Sequence, residues 1–245
     1  MNIVINPNFY IEKLKHHLIN EELKALRSAL CSIENGTNHD LGSLSEHSPT
    51  NIAIFHEIGA EEAVQIELKK TYCAITRIFH DYIDELIAIQ KFIAMPQKPN
   101  RTIHNNADLD KHIREQIAKK TQQLSKDGHL TGPKKLTKLG SLGKFLDKAT
   151  TGYFSLRAAI EHHKSIAQKD IKVAYYGQEY MVEGKPMKLD KPTALRDTTI
   201  DLNVFEMSHY IKKGSDIKLT ETDLEGIALT ICFYIAPGIA KQAFE

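Results

Sequence analysis

The sequence predicts a mainly α protein, a helical bundle with a small β-hairpin between the later helices. Three observations point there. Apolar residues recur at spacings of three and four along most of the chain, the period of a helix with one buried face. Around Gly177 the pattern changes to β-branched and aromatic residues, as strands prefer. Clusters of Gly, Pro and Asn punctuate the periodic stretches and divide them into separate elements.

The first helix is expected over Pro7 to Ile33, where Tyr10, Leu14, Leu18, Leu23, Leu26 and Leu30 form the apolar stripe. Asn35-Gly36-Thr37-Asn38 breaks it, and the polar stretch up to Thr50 reads as a loop. A long helical pattern follows from Asn51 to Ala94. Gly59 is expected to split off its first part, and Met95-Pro96-Gln97-Lys98-Pro99 ends it. Asp110 to Leu124 suits an exposed helix, and Lys126 to Lys148, interrupted by several glycines, reads as a loop. Thr151 to Ala167 is the next helix. The runs 171–176 and 179–183 on either side of Gly177 make two short strands. Asp201 to Lys212 is expected as a short helix. Thr220 to Ala236 is the last helix, opened by Thr220-Glu221-Thr222-Asp223 as a capping box with Asp at the fourth place. Residues 1–50 are thus expected to pack as a helix and loop on a helical domain over 51–245, which carries a basic loop insertion near 96–148.

The chain has 245 residues, enough to bury a substantial core, and its 42% hydrophobic and 26% charged content is that of globular domains. The three cysteines are scattered at Cys31, Cys73 and Cys232. They form no C-x-x-C pair, which argues against a disulfide framework or a zinc finger and suits reduced thiols in a cytoplasmic protein. Met1 to Pro7 lacks the pattern of a secretory signal. The most apolar stretch, Ile227 to Ala240, is interrupted by Pro237 and is shorter than the ~20 residues that span a bilayer, so no membrane partner is expected. The net charge of +1 hides a local excess: Lys111 to Lys148 holds ten basic and three acidic side chains. Such clustering suits contact with a polyanion, and equally a solvated surface segment.

The twelve histidines include no H-E-x-x-H or comparable ligand spacing, and no metal or other cofactor is expected. Gly140-Ser141-Leu142-Gly143-Lys144 lacks the spacing of a phosphate-binding loop, and no G-x-S-x-G elbow occurs. Arg101-Thr102-Ile103-His104 is an Arg/His cluster in a polar linker.

The segment with chemical promise is Leu156-Arg157-Ala158-Ala159-Ile160-Glu161-His162. On a helix, Arg157 and Glu161 share a face and can pair. His162 lies five residues from Arg157, roughly 140° further round, and both reach one groove only if the helix end faces it. His163 and Lys164 follow at the C-terminal end, where exposed carbonyls favour positive charge.

Residues 156–171, which include Asp170-Ile171, resemble the Arg-x4-His helix of the HEPN superfamily. There a Leu-Arg pair precedes the His, and a short turn leads to Asp-Ile or Asp-Val. The context, over roughly 55–242, is also similar: a long helix before, a short β stretch after and a Thr-started helix at the end. The resemblance implies metal-independent endoribonuclease chemistry of a toxin or defence type. His162 would move the proton at the ribose 2′-OH or the leaving oxygen, and Arg157 would hold the scissile phosphate. It also implies a homodimer that joins two such helices and, for a toxin, a cognate antitoxin or partner protein. His163, Lys164, Lys134, Lys135 and Lys138 would contact the RNA backbone. The sequence departs from the family pattern at Ala158, where active members commonly carry a polar side chain. A non-catalytic module that binds RNA, a nucleotide or a protein is the alternative this implies; a structural helical adaptor is the other.

Overall fold

The computed structural model describes residues 6–38, 49–94, 106–126, 131–182, 185–186 and 200–244. The loop residues 39–48, the Pro-rich stop after Ala94, the Arg101–His104 cluster, His39, His47 and His129 lie outside them. The fold is mainly α with a small antiparallel sheet between the later helices. In chain order it runs α1 (Pro7–Lys15), a π-helical segment (His16–Leu23), α2 (Lys24–Asn38), α3 (Pro49–Ile93), α4 (Asn106–Lys126), α5 (Gly132–Leu139) and α6 (Lys144–His162). Then come β1 (Ile171–Val182), β2 (Lys185–Pro186), β3 (Ile200–Ile211), α7 (Glu221–Thr230), a second π-helical segment (Ile231–Ile235) and α8 (Ala236–Phe244).

Helix α3 is the axis of the molecule. It packs against α1, α2, α4, α5, α6, α7 and α8. Its residues Tyr72, Ile75, Phe79, Ile83 and Leu86 are fully buried, and they form one continuous core with Leu18 and Leu26 from the N-terminal helices, Leu156 from α6 and Ile227, Ile231 and Ile235 near the C-terminus. The expected break at Gly59 is present: this residue has φ +72°, a conformation open to glycine and disfavoured for residues with a Cβ.

The basic stretch departs from its reading as a loop. Gly132 to Leu139 forms α5, with Pro133 in the first turn where its missing N–H is harmless. Lys144 begins α6, seven residues before the expected start. Leu136 and Leu139 are buried, so α5 has an apolar face that the many lysines mask in a composition count.

Asp201 to Lys212 also departs from expectation, being strand β3 instead of a helix. It pairs residue for residue with β1, from Ile171 opposite Ile211 to Val182 opposite Ile200, and β2 flanks the other edge of β1 at Val182–Lys185. The apolar residues of this segment fit both periods. Tertiary pairing decides: Ile211 and Met207 sit opposite Ile171 and Tyr175. The two short strands expected around Gly177 are one continuous strand, because Gly177 sits beneath Phe205 of β3 and makes no turn.

The last helix starts as expected. Thr220 Oγ1 accepts from Asp223 N–H at 3.2 Å, and Asp223 Oδ2 accepts from Thr220 N–H at 2.9 Å. It continues through Pro237 to Phe244, past the expected end at Ala236. The π-helical segment directly before Pro237 loosens the backbone where a regular turn would clash with the ring. The helix from Glu221 to Phe244 is long and apolar enough to cross a membrane by length and composition, and 56% of its apolar window is buried within the fold.

Candidate functional site at the end of helix α6

Two hydrogen-bonded tyrosine contacts hold α6 in place, and a third ties its partner strand β1 to α7. Tyr72 of α3 donates through its hydroxyl to Tyr153 O at 2.8 Å, and Tyr153 in turn donates to Ala174 O of β1 at 2.6 Å. Tyr175 of β1 donates to Asp223 Oδ1 of α7 at 2.9 Å. Gly152 lets α6 approach β1 closely, for a Cβ there would lie 2.1 Å from Lys172 O. These buried links fix the position and rotation of the helix that carries Arg157 and His162.

At the C-terminal end of α6, Glu161 is a hub. Its Oε2 accepts from Arg157 Nε at 2.9 Å, the intrahelical pair the spacing allows, and its Oε1 lies 3.5 Å from Arg77 Nη2 of α3. His162 Nε2 is 4.0 Å from the same carboxylate. The Arg157 side chain is 19% exposed and that of His162 is 69% exposed. Three nitrogen-bearing side chains from two helices therefore converge on one anionic group at the surface.

The chain leaves this helix through a strained turn. Lys164 and Ser165 have φ of +52° and +61°, a left-handed conformation that costs non-glycine residues on the order of 1–3 kcal/mol each. The turn persists because its backbone is bonded on both sides. Ser165 N–H donates to Ala159 O, Ile217 N–H donates to Ser165 O, and Ala167 exchanges bonds with Ser215 and Gly214. Asp170 of the Asp-Ile pair accepts from Lys213 N–H at 2.9 Å, and Ile171 starts β1 as a buried residue. The backbone thus holds the exposed His163 and Lys164 just beyond His162.

The lysines expected to meet RNA divide. Lys134 and Lys138 are exposed on α5, which meets α6 where Gly132 sits under the Phe154 ring. Lys135 is buried and cannot serve as a surface contact. Its Nζ lies 2.7 and 2.8 Å from the two carboxylate oxygens of Asp84 and donates to Leu124 O at 3.1 Å, so it joins α3, the end of α4 and α5.

The sequence reading missed the α3 contribution. Arg77, His80 and Asp84 recur at spacings of three and four among the apolar residues of α3, and that spacing is the signal in the sequence. His80 is partly buried against the Phe154 ring, and its Nε2 is enclosed with no hydrogen-bond partner among the described residues. Burial, reinforced by Lys135, lowers the pKa of His80 and favours the neutral imidazole. Cys73, near Arg157 and Glu161, has its thiol pushed up to about 11 by burial, so it is no ready nucleophile. Among the described residues no group of three or more His, Cys, Asp or Glu side chains is arranged to hold a metal ion.

Comparison with known proteins gives no match, whether to a family model, a curated protein or a solved structure.

Proposed function

We propose that the chain is a HEPN-like protein that binds RNA at the end of α6 and cleaves it without a metal. The observation that carries this reading is the convergence of Arg77, Arg157 and His162 on the Glu161 carboxylate. A carboxylate held by two guanidiniums marks a point where an RNA phosphate would gain the same charge-assisted bonds. With the phosphate there, Arg157 would stabilise its developing charge, and His162 would take the proton from the 2′-OH or give one to the leaving 5′-oxygen. The strained Lys164–Ser165 turn and the exposed His163 and Lys164 adjoin the same end of α6 and support it for backbone contact.

The test is cleavage of RNA by the purified protein in EDTA. The expected products carry 2′,3′-cyclic phosphate ends, and Arg157→Ala and His162→Ala each abolish their formation. Cleavage that persists unchanged in both variants refutes the assignment. Two observations favour the alternative, a module that binds RNA without cutting it: Ala158 brings no polar group beside Arg157, and Glu161 occupies the anion position itself. That reading predicts RNA binding that depends on Arg157, with intact RNA recovered.

A further inference from the structure

Strand β3 has an edge of the kind that folded proteins rarely leave open. Its partner β1 lies on one side, and among the described residues no strand pairs with the other. It is twelve residues long, about twice the usual strand. It contains no Lys, Pro or Gly, and its twelve consecutive one-to-one pairs with β1 leave no bulge to twist the edge away. Lys, Pro and bulges are devices that normally block edge-to-edge pairing, and the carboxylates on β3 are limited to Asp201 and Glu206. It also exposes large apolar side chains on both faces: Leu202 at 49%, Val204 at 37%, Phe205 at 40% and Tyr210 at 68%.

We propose that this edge is a homodimer interface, in which β3 of two copies pair antiparallel about a two-fold axis through Phe205. The occupant follows from self-complementarity. In an antiparallel pair the residues opposite each other point to the same face, so a two-fold perpendicular to the sheet must pass through a residue. Centred on Phe205, the pairing sets Asp201 against His209 of the second copy and Phe205 against its own counterpart. Glu206 then meets Val204, and Leu202 meets Ser208. An aromatic pair directly across strands is a favourable combination, and an imidazole facing a carboxylate can share a hydrogen bond with it. Moving the centre one residue to Glu206 would set two carboxylates face to face, which is unfavourable. The Phe205 register also uses the strand from Ile200 to Tyr210, an antiparallel ladder with on average about one hydrogen bond per facing pair. The His209 side chain is 36% exposed and its Nδ1 lies 3.4 Å from Asp223 of its own chain, so in this register the imidazole would stand between that carboxylate and Asp201 of the second copy.

This dimer does not depend on the RNA reading. Phe205 pairs with Gly177, six residues along the sheet from Ile171, the residue through which β1 leads away from the α6 end. The two-fold would therefore stand apart from Arg157 and His162, at a different interface from the α6-to-α6 homodimer that the HEPN resemblance implies.

The test is the molar mass of the full chain by light scattering on size exclusion, over a dilution series. The expected mass is twice that of the chain. Phe205→Lys, which opposes two cations at the axis, should reduce it to one chain with unchanged far-ultraviolet circular dichroism. Phe205→Asp should do the same, and mixing the two variants should restore the double mass, because Lys then faces Asp. A second measurement keeps the register testable should either variant misfold. In a Cys31→Ser background, Phe205→Cys should cross-link to its own copy on mild oxidation, whereas Ser208→Cys should not. A single-chain mass for the parent protein overturns the proposal. So does a double mass that survives Phe205→Lys, or cross-linking at Ser208→Cys in preference to Phe205→Cys.

Discussion

Replacing Lys135 by Met should unfold the chain far more readily than its place in a basic stretch suggests. Lys135 and Asp84 are each 1% exposed, and Nζ is within 2.8 Å of both carboxylate oxygens. Met keeps much of the volume but removes the ammonium. Asp84 is then left as an unpaired buried charge, and Leu124 O loses its donor. Removing one partner of a buried pair costs about 3–5 kcal/mol. For a chain of this size that lowers the melting temperature by roughly 6–20 °C. The assay is urea unfolding followed by circular dichroism, with stability taken by linear extrapolation. Asp84→Leu alone should lose a similar amount. The double variant Asp84→Leu/Lys135→Met should lose much less than the sum, because a packed apolar pair is often as stable as the ion pair it replaces. If Lys135→Met costs less than about 1 kcal/mol, the range of an exposed pair, the buried bridge from α5 to α3 is wrong. Strict additivity in the double variant would equally contradict a direct Lys135–Asp84 pair.

Further outcomes are expected elsewhere. Folding lowers the pKa of His80, so below the usual ~6.5 of histidine the unfolded chain binds a proton that the folded chain resists. Stability should therefore fall as pH drops through ~6.5 toward the lower folded value, and be free of this penalty above it. Urea midpoints across that range should lose part of their pH dependence in His80→Gln. Gly152→Ala puts a Cβ 2.1 Å from Lys172 O, so α6 must move away from β1, at about 1–3 kcal/mol. A thermal melt that does not change on this substitution would contradict the close packing of α6 on the strand.

The sequence made the helical frame legible wherever one face is buried and the stops are chemical. The stripe of α3, the break at Gly59 and the capping box at Thr220 could each be read from local residues alone. β3 could not, since Leu202, Val204, Phe205 and Met207 fit either period until β1 selects one. Lys135 was misplaced because composition counts charge without seeing its partner, and Asp84 lies 51 residues away in sequence. The Arg157–Glu161 pair was legible because it spans one helical turn. Arg77 joins it only through the packing of α3 against α6, a contact no local spacing encodes.

The proposed function places an RNA phosphate at the end of α6, at the point Glu161 now occupies. The most direct measurement is RNA affinity by fluorescence anisotropy across a salt series, comparing the parent chain with Arg157→Ala and Glu161→Gln. Arg157→Ala should bind more weakly, with a salt slope shallower by about one phosphate contact. Glu161→Gln should bind more tightly by about 0.5–1 kcal/mol, roughly two- to fivefold, as the competing carboxylate loses its charge. Equal affinities and slopes for all three proteins would contradict that placement.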